Sequence, residues 1–280
     1  MKNPPAFKLR AHGAEIPAVG FGTLDLGDRT AELVSAAIAS GYRHIDTARK
    51  YGSESGVGEG MRASGVPRGE LFVTTKVTED NAREADFMRS VETSLKTLAL
   101  DYVDLLLIHW PQPKVPLSET VGALVKAKRA GLARHIGVSN FTVALLDEAV
   151  RLSAEPLVAN QMEYHAYLRQ DKALEACRRH GMIMTAYSPV ARGKLLDEPV
   201  VARIAAAHGK TSAQVAMRWV IQHPGVAAVP RAWEASHAAE NLDVFDFELS
   251  DDEMKTMGEL RSRNYRVANP PERAPIWDIG

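Results

Sequence analysis

The sequence predicts an α/β protein, a single-domain (β/α)8 barrel over residues 1–280 with an N-terminal hairpin at 7–16 and a C-terminal tail at 262–280 on the substrate side. Three observations carry that reading. A helix-like stretch, a glycine and a strand-like run recur along the chain; the glycine turn that an open nucleotide-binding sheet expects is incomplete; and polar residues close one apolar run after another. The alternation, with short connections, implies right-handed crossovers and a parallel sheet. That alone leaves both a barrel and an open doubly wound sheet. The open sheet expects Gly-x-Gly-x-x-Gly after its first strand, whereas the chain has Gly20-Phe21-Gly22-Thr23-Leu24-Asp25. Asp46, Lys76, His109, Ser139-Asn140, Gln161, Tyr187-Ser188 and Pro230-Arg231 each end a separate run. A barrel directs those ends to one mouth, where barrel enzymes place their chemistry.

Taken in order, Phe7-Lys8-Leu9 and Glu15-Ile16-Pro17 read as a hairpin, with Gly13 supplying the backbone angle of the turn. It is expected to plug the amino end of the barrel. Val19-Gly20-Phe21-Gly22-Thr23 reads as the first buried strand, followed by a helix with Leu33, Val34, Ala37 and Ile38 on one face and Gly41 as a left-handed cap. His44-Ile45 and Phe72-Val73-Thr74-Thr75-Lys76 read as the next strands; Gly56-Val57-Gly58-Glu59-Gly60, between them, is read as helix spacer rather than a phosphate loop. Val91, Leu95 and Leu98 mark a helix before strand 103–108. Val121, Leu124 and Val125 mark one that ends at Gly131, before His135-Ile136-Gly137-Val138. Leu174 and Cys177 precede Gly181 and the strand Met182-Ile183-Met184-Thr185-Ala186.

Bulk properties narrow the function classes. A length of 280 residues is ordinary for a barrel of usually about 250. With 45% hydrophobic and 25% charged residues, a packed core is expected and disorder is not. A net charge of −1 gives no reason to expect nucleic acid or a membrane as partner. One cysteine, Cys177, forms no internal disulfide, as expected in a reducing compartment. The first residues lack a leader's apolar region and no stretch approaches the ~18 apolar residues of a span, so a cytoplasmic location is expected, as a monomer or weak oligomer. The histidines lack the ligand spacing of a zinc site, so no metal is expected. Cys177 reads as core filler, Arg178-Arg179-His180 as a solvated helix end, and Arg261-Ser262-Arg263-Asn264 as exposed tail.

The chemistry gathers around Asp46-Thr47-Ala48-Arg49-Lys50-Tyr51, where a carboxylate and a phenol lie five residues apart beyond a strand. A phenol with a pKa of about 10 is a poor acid at neutral pH unless a cation beside it lowers that value. Lys76 is the candidate cation, with Asp46 holding it in place, and His109 is the candidate donor that orients a carbonyl oxygen. Singly, each has a structural alternative: an ion pair, a surface tyrosine, a core histidine. Together, at the ends of successive strands, they point to a site.

Gly41-Tyr42-Arg43-His44-Ile45-Asp46-Thr47-Ala48 with Tyr51, then Lys76, then Leu107-Ile108-His109-Trp110-Pro111, resembles the aldo-keto reductases, in their bacterial short-loop form, from about residue 7 to the end. The resemblance implies an oxidoreductase that reduces aldehydes or ketones with NADP(H), with Asp46, Tyr51, Lys76 and His109 as its catalytic residues. It also implies a cofactor site: Gly22 and Thr23 near the dinucleotide, Ser139, Asn140 and Gln161 on the carboxamide, Tyr187 stacked on the nicotinamide, and Ser188, Pro189 and Val190 following it. Pro230, Arg231, Ala232, Trp233, His237, Glu240 and Asn241 match the segment that grips the 2′-phosphate. There the chain departs from the pattern: Arg231 stands where lysine is usual, Ala232 where serine is usual and His237 where arginine is usual. That opens NAD(H) as an alternative. Leu24, Tyr51, His109, Trp110 and Trp277 are expected around a small carbonyl substrate, in a lightly walled pocket that accepts varied aldehydes, ketones or dicarbonyls. The alternative function is a non-catalytic, nucleotide-binding redox-sensing or regulatory subunit on the same fold.

Overall fold

The computed structural model describes residues 7–278. The start read as leader-free, residues 1–6, and the last two residues of the tail, 279–280, lie outside them. The chain opens with β1 (Lys8–Ala11) and β2 (Ala14–Pro17), an antiparallel hairpin turning at Gly13, whose φ of +85° suits glycine. Then strands and helices alternate. β3 (Phe21–Gly22) leads to α1 (Thr30–Ala39), β4 (His44–Asp46) to α2 (Glu54–Ala63), and β5 (Phe72–Val77) to α3 (Glu84–Leu98). β6 (Val103–Ile108) leads to α4 (Leu117–Arg129), β7 (Ala133–Ser139) to α5 (Val143–Leu152), and β8 (Leu157–Glu163) to α6 (Asp171–Arg179). β9 (Ile183–Tyr187) is followed by α7 (Pro199–His208) and α8 (Ser212–Gln222), and β10 (Val226–Val229) by α9 (Ala235–Leu242) and α10 (Asp251–Glu259).

Strands β3 to β10 form one parallel sheet in sequence order. The sheet closes on itself: Gly20 N–H donates to Ala228 O, Ala228 N–H to Ala18 O and Gly22 N–H to Pro230 O, each at 2.8 Å. Closure leaves no edge strand with unpaired backbone groups. The barrel reading and the closing of each strand-like run by a polar residue are thus seen directly.

Sequence dictates the two faces of each strand. Along β5, Val73 and Val77 face the helices while Phe72 joins an interior cluster with Leu105, Leu107, Val158, Ile183 and Ala227. Ala11, Ala14 and Ile16 of the hairpin belong to that same interior cluster, so the hairpin plugs the amino end as expected. The barrel is therefore filled from below, with His44 and Thr74 paired to each other deeper in the interior and the candidate catalytic residues at the carboxyl end. Helices α1, α3 and α4 bury the apolar positions read from their spacing, including Leu33, Val34, Ala37, Ile38, Val91, Leu95, Leu98, Val121, Leu124 and Val125. Capping boxes start α8 (Thr211 with Gln214) and α10 (Ser250 with Glu253), each tying up amide donors that a helix start leaves free.

The glycines at 56, 58 and 60 are helical, as expected, and two of them admit close backbone approach. A Cβ on Gly58 would lie 2.2 Å from Leu98 O, and one on Gly60 2.5 Å from Ala31 O. Cys177 is fully buried and its thiol is pushed up to about 12 by that burial, in keeping with core filling. The basic patch that ends α6 is tied down as well as solvated: Arg179 and His180 reach Asp147. Of Arg261-Ser262-Arg263-Asn264, read as exposed tail, the last three are exposed, and Arg261 and Arg263 also pair with Asp171 and Glu198. Among the described residues, no helix is long and apolar enough to cross a membrane.

Candidate active site

Lys76, on the interior side of β5, ends with its ammonium fully enclosed at the carboxyl mouth. It donates to Asp46 Oδ1 at 2.6 Å and Thr47 O at 2.7 Å, and its Nζ lies 3.4 Å from the Tyr51 hydroxyl. Burial is the strongest single pull and works against the charged ammonium, but Asp46 and Tyr51 together outweigh it and hold the lysine pKa above its ordinary value. Asp46 is fixed from its other side by Gln161 Nε2, which donates to Oδ2 at 2.7 Å. Tyr51 ends a short 3-10 turn, Arg49–Tyr51, closed by Gly52 at φ +67°. That turn presents the phenol to the lysine.

One expectation needs correction. Lys76 does pull the Tyr51 pKa down, but enclosure of the phenol pushes it up more strongly, and the net direction is upward. The sequence supplies the cation; it does not reveal how little water reaches the phenolate.

His109 follows β6 and meets Tyr51 edge to face, with ring centroids 5.7 Å apart. Burial, then the cations Lys76, Lys50 and Arg273, drive its pKa well below the ordinary histidine value, so the imidazole is neutral. Its Nδ1 is buried with no hydrogen-bond partner among the described residues. A neutral ring retains one N–H donor.

Asp46, Tyr51 and His109 line a cavity of about 950 Å³, whereas Lys76 is enclosed and does not line it. Of the residues expected at a dinucleotide, Gly22, Thr23, Asp46, Ser139, Asn140, Gln161, Tyr187, Ser188, Pro189, Val190, Pro230, Arg231 and Trp233 line it. So do Leu24, Tyr51, His109 and Trp110 from the expected substrate set. Several polar residues are already engaged with one another. Ser139 Oγ donates to Gln161 O at 2.9 Å, Asn140 Nδ2 to His109 O at 2.9 Å, and the Tyr187 hydroxyl to Asn140 Oδ1 at 2.8 Å. Asp25, Asn140, Ser188 and Arg192 face the cavity from backbone with φ between 52° and 63°, conformations that cost energy in non-glycine residues and concentrate at functional sites.

The remaining expected residues lie elsewhere. Trp277 does not line the cavity; it packs behind Trp110, ring centroids 6.1 Å apart, under the Arg266 guanidinium. In the expected phosphate segment, Ala232 is buried, His237 is exposed on α9, the Glu240 carboxylate accepts from the Thr211 hydroxyl at 2.6 Å, and Asn241 is buried. None of the four lines the cavity. Arg231 does, but its Nη1 donates to Leu24 O and lies 3.2 Å from Asp25.

The family model described as Aldo/keto reductase family matches residues 18–262. The chain belongs to the aldo-keto reductases. It is similar to methylglyoxal reductase DkgB of Salmonella typhimurium, 39% identical over 267 residues, which covers 94% of this chain and 99% of that one. It is also similar to glyoxal reductase of Bacillus subtilis, 41% identical over 263 residues, covering 93% and 95%. A crystal structure of a Bombyx mori aldo-keto reductase in complex with NADP matches it with a TM-score of 0.89 at 33% identity, covering 95% and 97%. As an aldo-keto reductase, the protein is an oxidoreductase acting on carbonyl groups. These reductases lend no support to the regulatory alternative.

Sequence reasoning missed several residues of this aldo-keto reductase cavity. Lys50, Arg192 and Arg273 line it unassigned, and Glu163 anchors its rim. Glu163 closes β8, and its two carboxylate oxygens accept from Val267 N–H at 2.6 Å and Ala268 N–H at 2.8 Å. That fixes the tail across the mouth, where Val267, Ala268, Asn269 and Pro270 complete the lining. The position of Glu163 at a strand end was the available signal.

Proposed function

We propose that this single-domain barrel is an NADPH-dependent reductase of small aldehydes, ketones and dicarbonyls, with Tyr51 as the proton donor. The observation that carries the reading is the enclosed Lys76 ammonium, 2.6 Å from Asp46 and 3.4 Å from the Tyr51 hydroxyl, next to a cavity that Asp46, Tyr51 and His109 line. The names of the methylglyoxal and glyoxal reductases support a 2-oxoaldehyde as one substrate.

A cavity of about 950 Å³ lies at the upper end of the usual cofactor-site range. Tyr187 offers it an aromatic face, Ser139, Asn140 and Gln161 offer amide and hydroxyl groups, and Arg192 and Arg231 offer cations for phosphates. These residues suit a nicotinamide dinucleotide. Bound there, the reduced nicotinamide supplies a hydride to the carbonyl carbon. Tyr51 and neutral His109 both present donors to the oxygen on which negative charge collects. Tyr51 then gives its proton to that oxygen, and Lys76 stabilises the phenolate left behind. Asp46, held by Gln161, keeps Lys76 in position.

NADPH rather than NADH rests on Arg231, whose guanidinium faces the cavity, and the bound NADP of the Bombyx mori relative favours it. NADH use follows if the tie between Arg231 and Asp25 outcompetes a phosphate. A cytoplasmic location completes the proposal, since NADPH and a lone reduced cysteine both belong there. Absorbance at 340 nm, followed with NADPH or NADH and a panel of aldehydes, ketones and 2-oxoaldehydes, tests it. Consumption of NADPH that requires a carbonyl compound is expected; no consumption with any of them refutes the reading.

A further inference from the structure

One enclosed carboxyl group beside the site has no part in the chemistry above. Glu54 opens α2 three residues after Tyr51, and only 2% of it is exposed. An acidic residue in the first turn of a helix is favoured by the helix dipole, but a side chain in water would serve the dipole as well. Enclosing a carboxyl group is costly unless its oxygens find donors, and burial here holds its pKa above the ordinary value. The donor that Glu54 finds is Thr75, whose hydroxyl donates to Oε1 at 2.6 Å, while Arg49 Nη1 lies 3.9 Å from Oε2.

Thr75 directly precedes Lys76 on β5, and consecutive residues of a strand project to opposite faces. The segment that carries the phenol therefore grips β5 on both faces. On the interior face the Tyr51 hydroxyl lies 3.4 Å from Lys76 Nζ, and on the other face Glu54 holds Thr75. Upstream, the segment is fixed by Thr47, whose N–H donates to Thr74 O at 2.9 Å and whose carbonyl accepts from Lys76 at 2.7 Å. Downstream, Gly52 at φ +67° joins the phenol to α2, and the Ser53 hydroxyl reaches Thr23 O only at 3.4 Å. The Glu54 contact is the short side-chain tie on that side. The phenol–ammonium contact is already longer than the usual hydrogen bond of about 2.7–3.2 Å, so further drift of the turn loses it.

We propose that Glu54 is a positioning residue for proton delivery: by holding Thr75 it sets the spacing between the Tyr51 hydroxyl and the Lys76 ammonium. Neither Glu54 nor Thr75 lines the cavity, so both act through the pair and touch neither substrate nor cofactor.

This inference rests on Tyr51 as the proton donor, and a background without the phenolic hydroxyl separates the two. The test is single-turnover reduction of an aldehyde, with NADPH affinity followed by fluorescence, in Glu54→Met, Glu54→Gln, Thr75→Val and Thr75→Ser, each made in the parent and in Tyr51→Phe. Glu54→Met and Thr75→Val are expected to bind NADPH as the parent does and to reduce the aldehyde about ten- to a hundredfold more slowly, the effect of misplacing a reacting group by about 1 Å or less. Glu54→Gln keeps an acceptor and Thr75→Ser keeps a hydroxyl, so both should recover most of the rate. In Tyr51→Phe, with no hydroxyl to position, Glu54→Met should slow the residual reaction little further. Parental rates in Glu54→Met and Thr75→Val, no recovery in Glu54→Gln, or an equally large loss in the Tyr51→Phe background each overturn the positioning role alone. Thr75→Val removes the same bond from its other end with almost no change of shape, so the test stands even if Glu54→Met does not fold. A Tyr51→Phe protein that keeps the parental rate overturns the donor reading and this inference with it.

Discussion

At the scale of single residues, the site is set by opposing electrostatic pulls. Tyr51 is pushed upward by enclosure and pulled downward by Lys76, with the former stronger. The phenol therefore keeps its proton throughout the neutral range, as a donor must. His109 is pushed the other way and has already lost its proton there. The sign of the pH dependence follows. Raising pH removes activity only when it passes the raised tyrosine value, and lowering pH removes it only when it reaches the depressed histidine value. Between about pH 6 and about pH 8, kcat/KM for a neutral aldehyde should thus be flat, as a bell whose limbs both lie outside that window. An inflection near the ordinary histidine value would show that His109 titrates freely, contrary to its burial.

At the scale of elements, small residues decide how closely neighbouring helices approach one another. The glycines of α2 were legible as helix spacers from their surroundings, but the reason for their number was not. Gly58 lies where a Cβ would come within 2.2 Å of a backbone carbonyl at the end of α3, and a backbone atom cannot swing aside like a flexible side chain. Gly58→Ala should therefore lower unfolding stability by about 1–3 kcal/mol, the usual cost of overpacking, despite alanine's better helix propensity. Chemical denaturation of both proteins measures it, and an equal or higher midpoint in the variant would contradict the packing described. The tail behaves as an element too. It folds across the mouth as the sequence suggested, but its fastening by Glu163 and Glu79 joins residues more than a hundred positions apart, which no local pattern encodes.

At the scale of the whole molecule, closing the sheet turns a list of strand ends into one site. This much was readable in the sequence, because a polar residue ending a buried run interrupts the hydrophobic pattern conspicuously. Asp46, Lys76 and His109 were found in that way, and Tyr51 by its nearness to Asp46. What was not readable depends on distances between segments: the pairing of Lys50 with Arg273 through Glu79, the seat of Trp277 behind Trp110 rather than over the cavity, and the net direction of the Tyr51 shift. The cofactor segment shows the same limit. Residues matched along 230–241 divide in space, Arg231 and Trp233 at the cavity and His237 on an exposed helix face. Discrimination between the two nicotinamide dinucleotides should accordingly hang on Arg231. In Arg231→Ala the kcat/KM preference for NADPH over NADH should shrink, by about tenfold for one lost charged contact; an unchanged preference would place the phosphate elsewhere.

The central claim is that one phenol, set beside an enclosed ammonium, delivers the proton. Its most direct test is single-turnover reduction of an aldehyde by Tyr51→Phe, paired with NADPH binding followed by fluorescence. The account predicts cofactor affinity close to that of the parent protein and a reduction rate lower by about 10²–10⁴, the range expected for losing a general acid. A variant that binds NADPH and still reduces the aldehyde at the parental rate would contradict it.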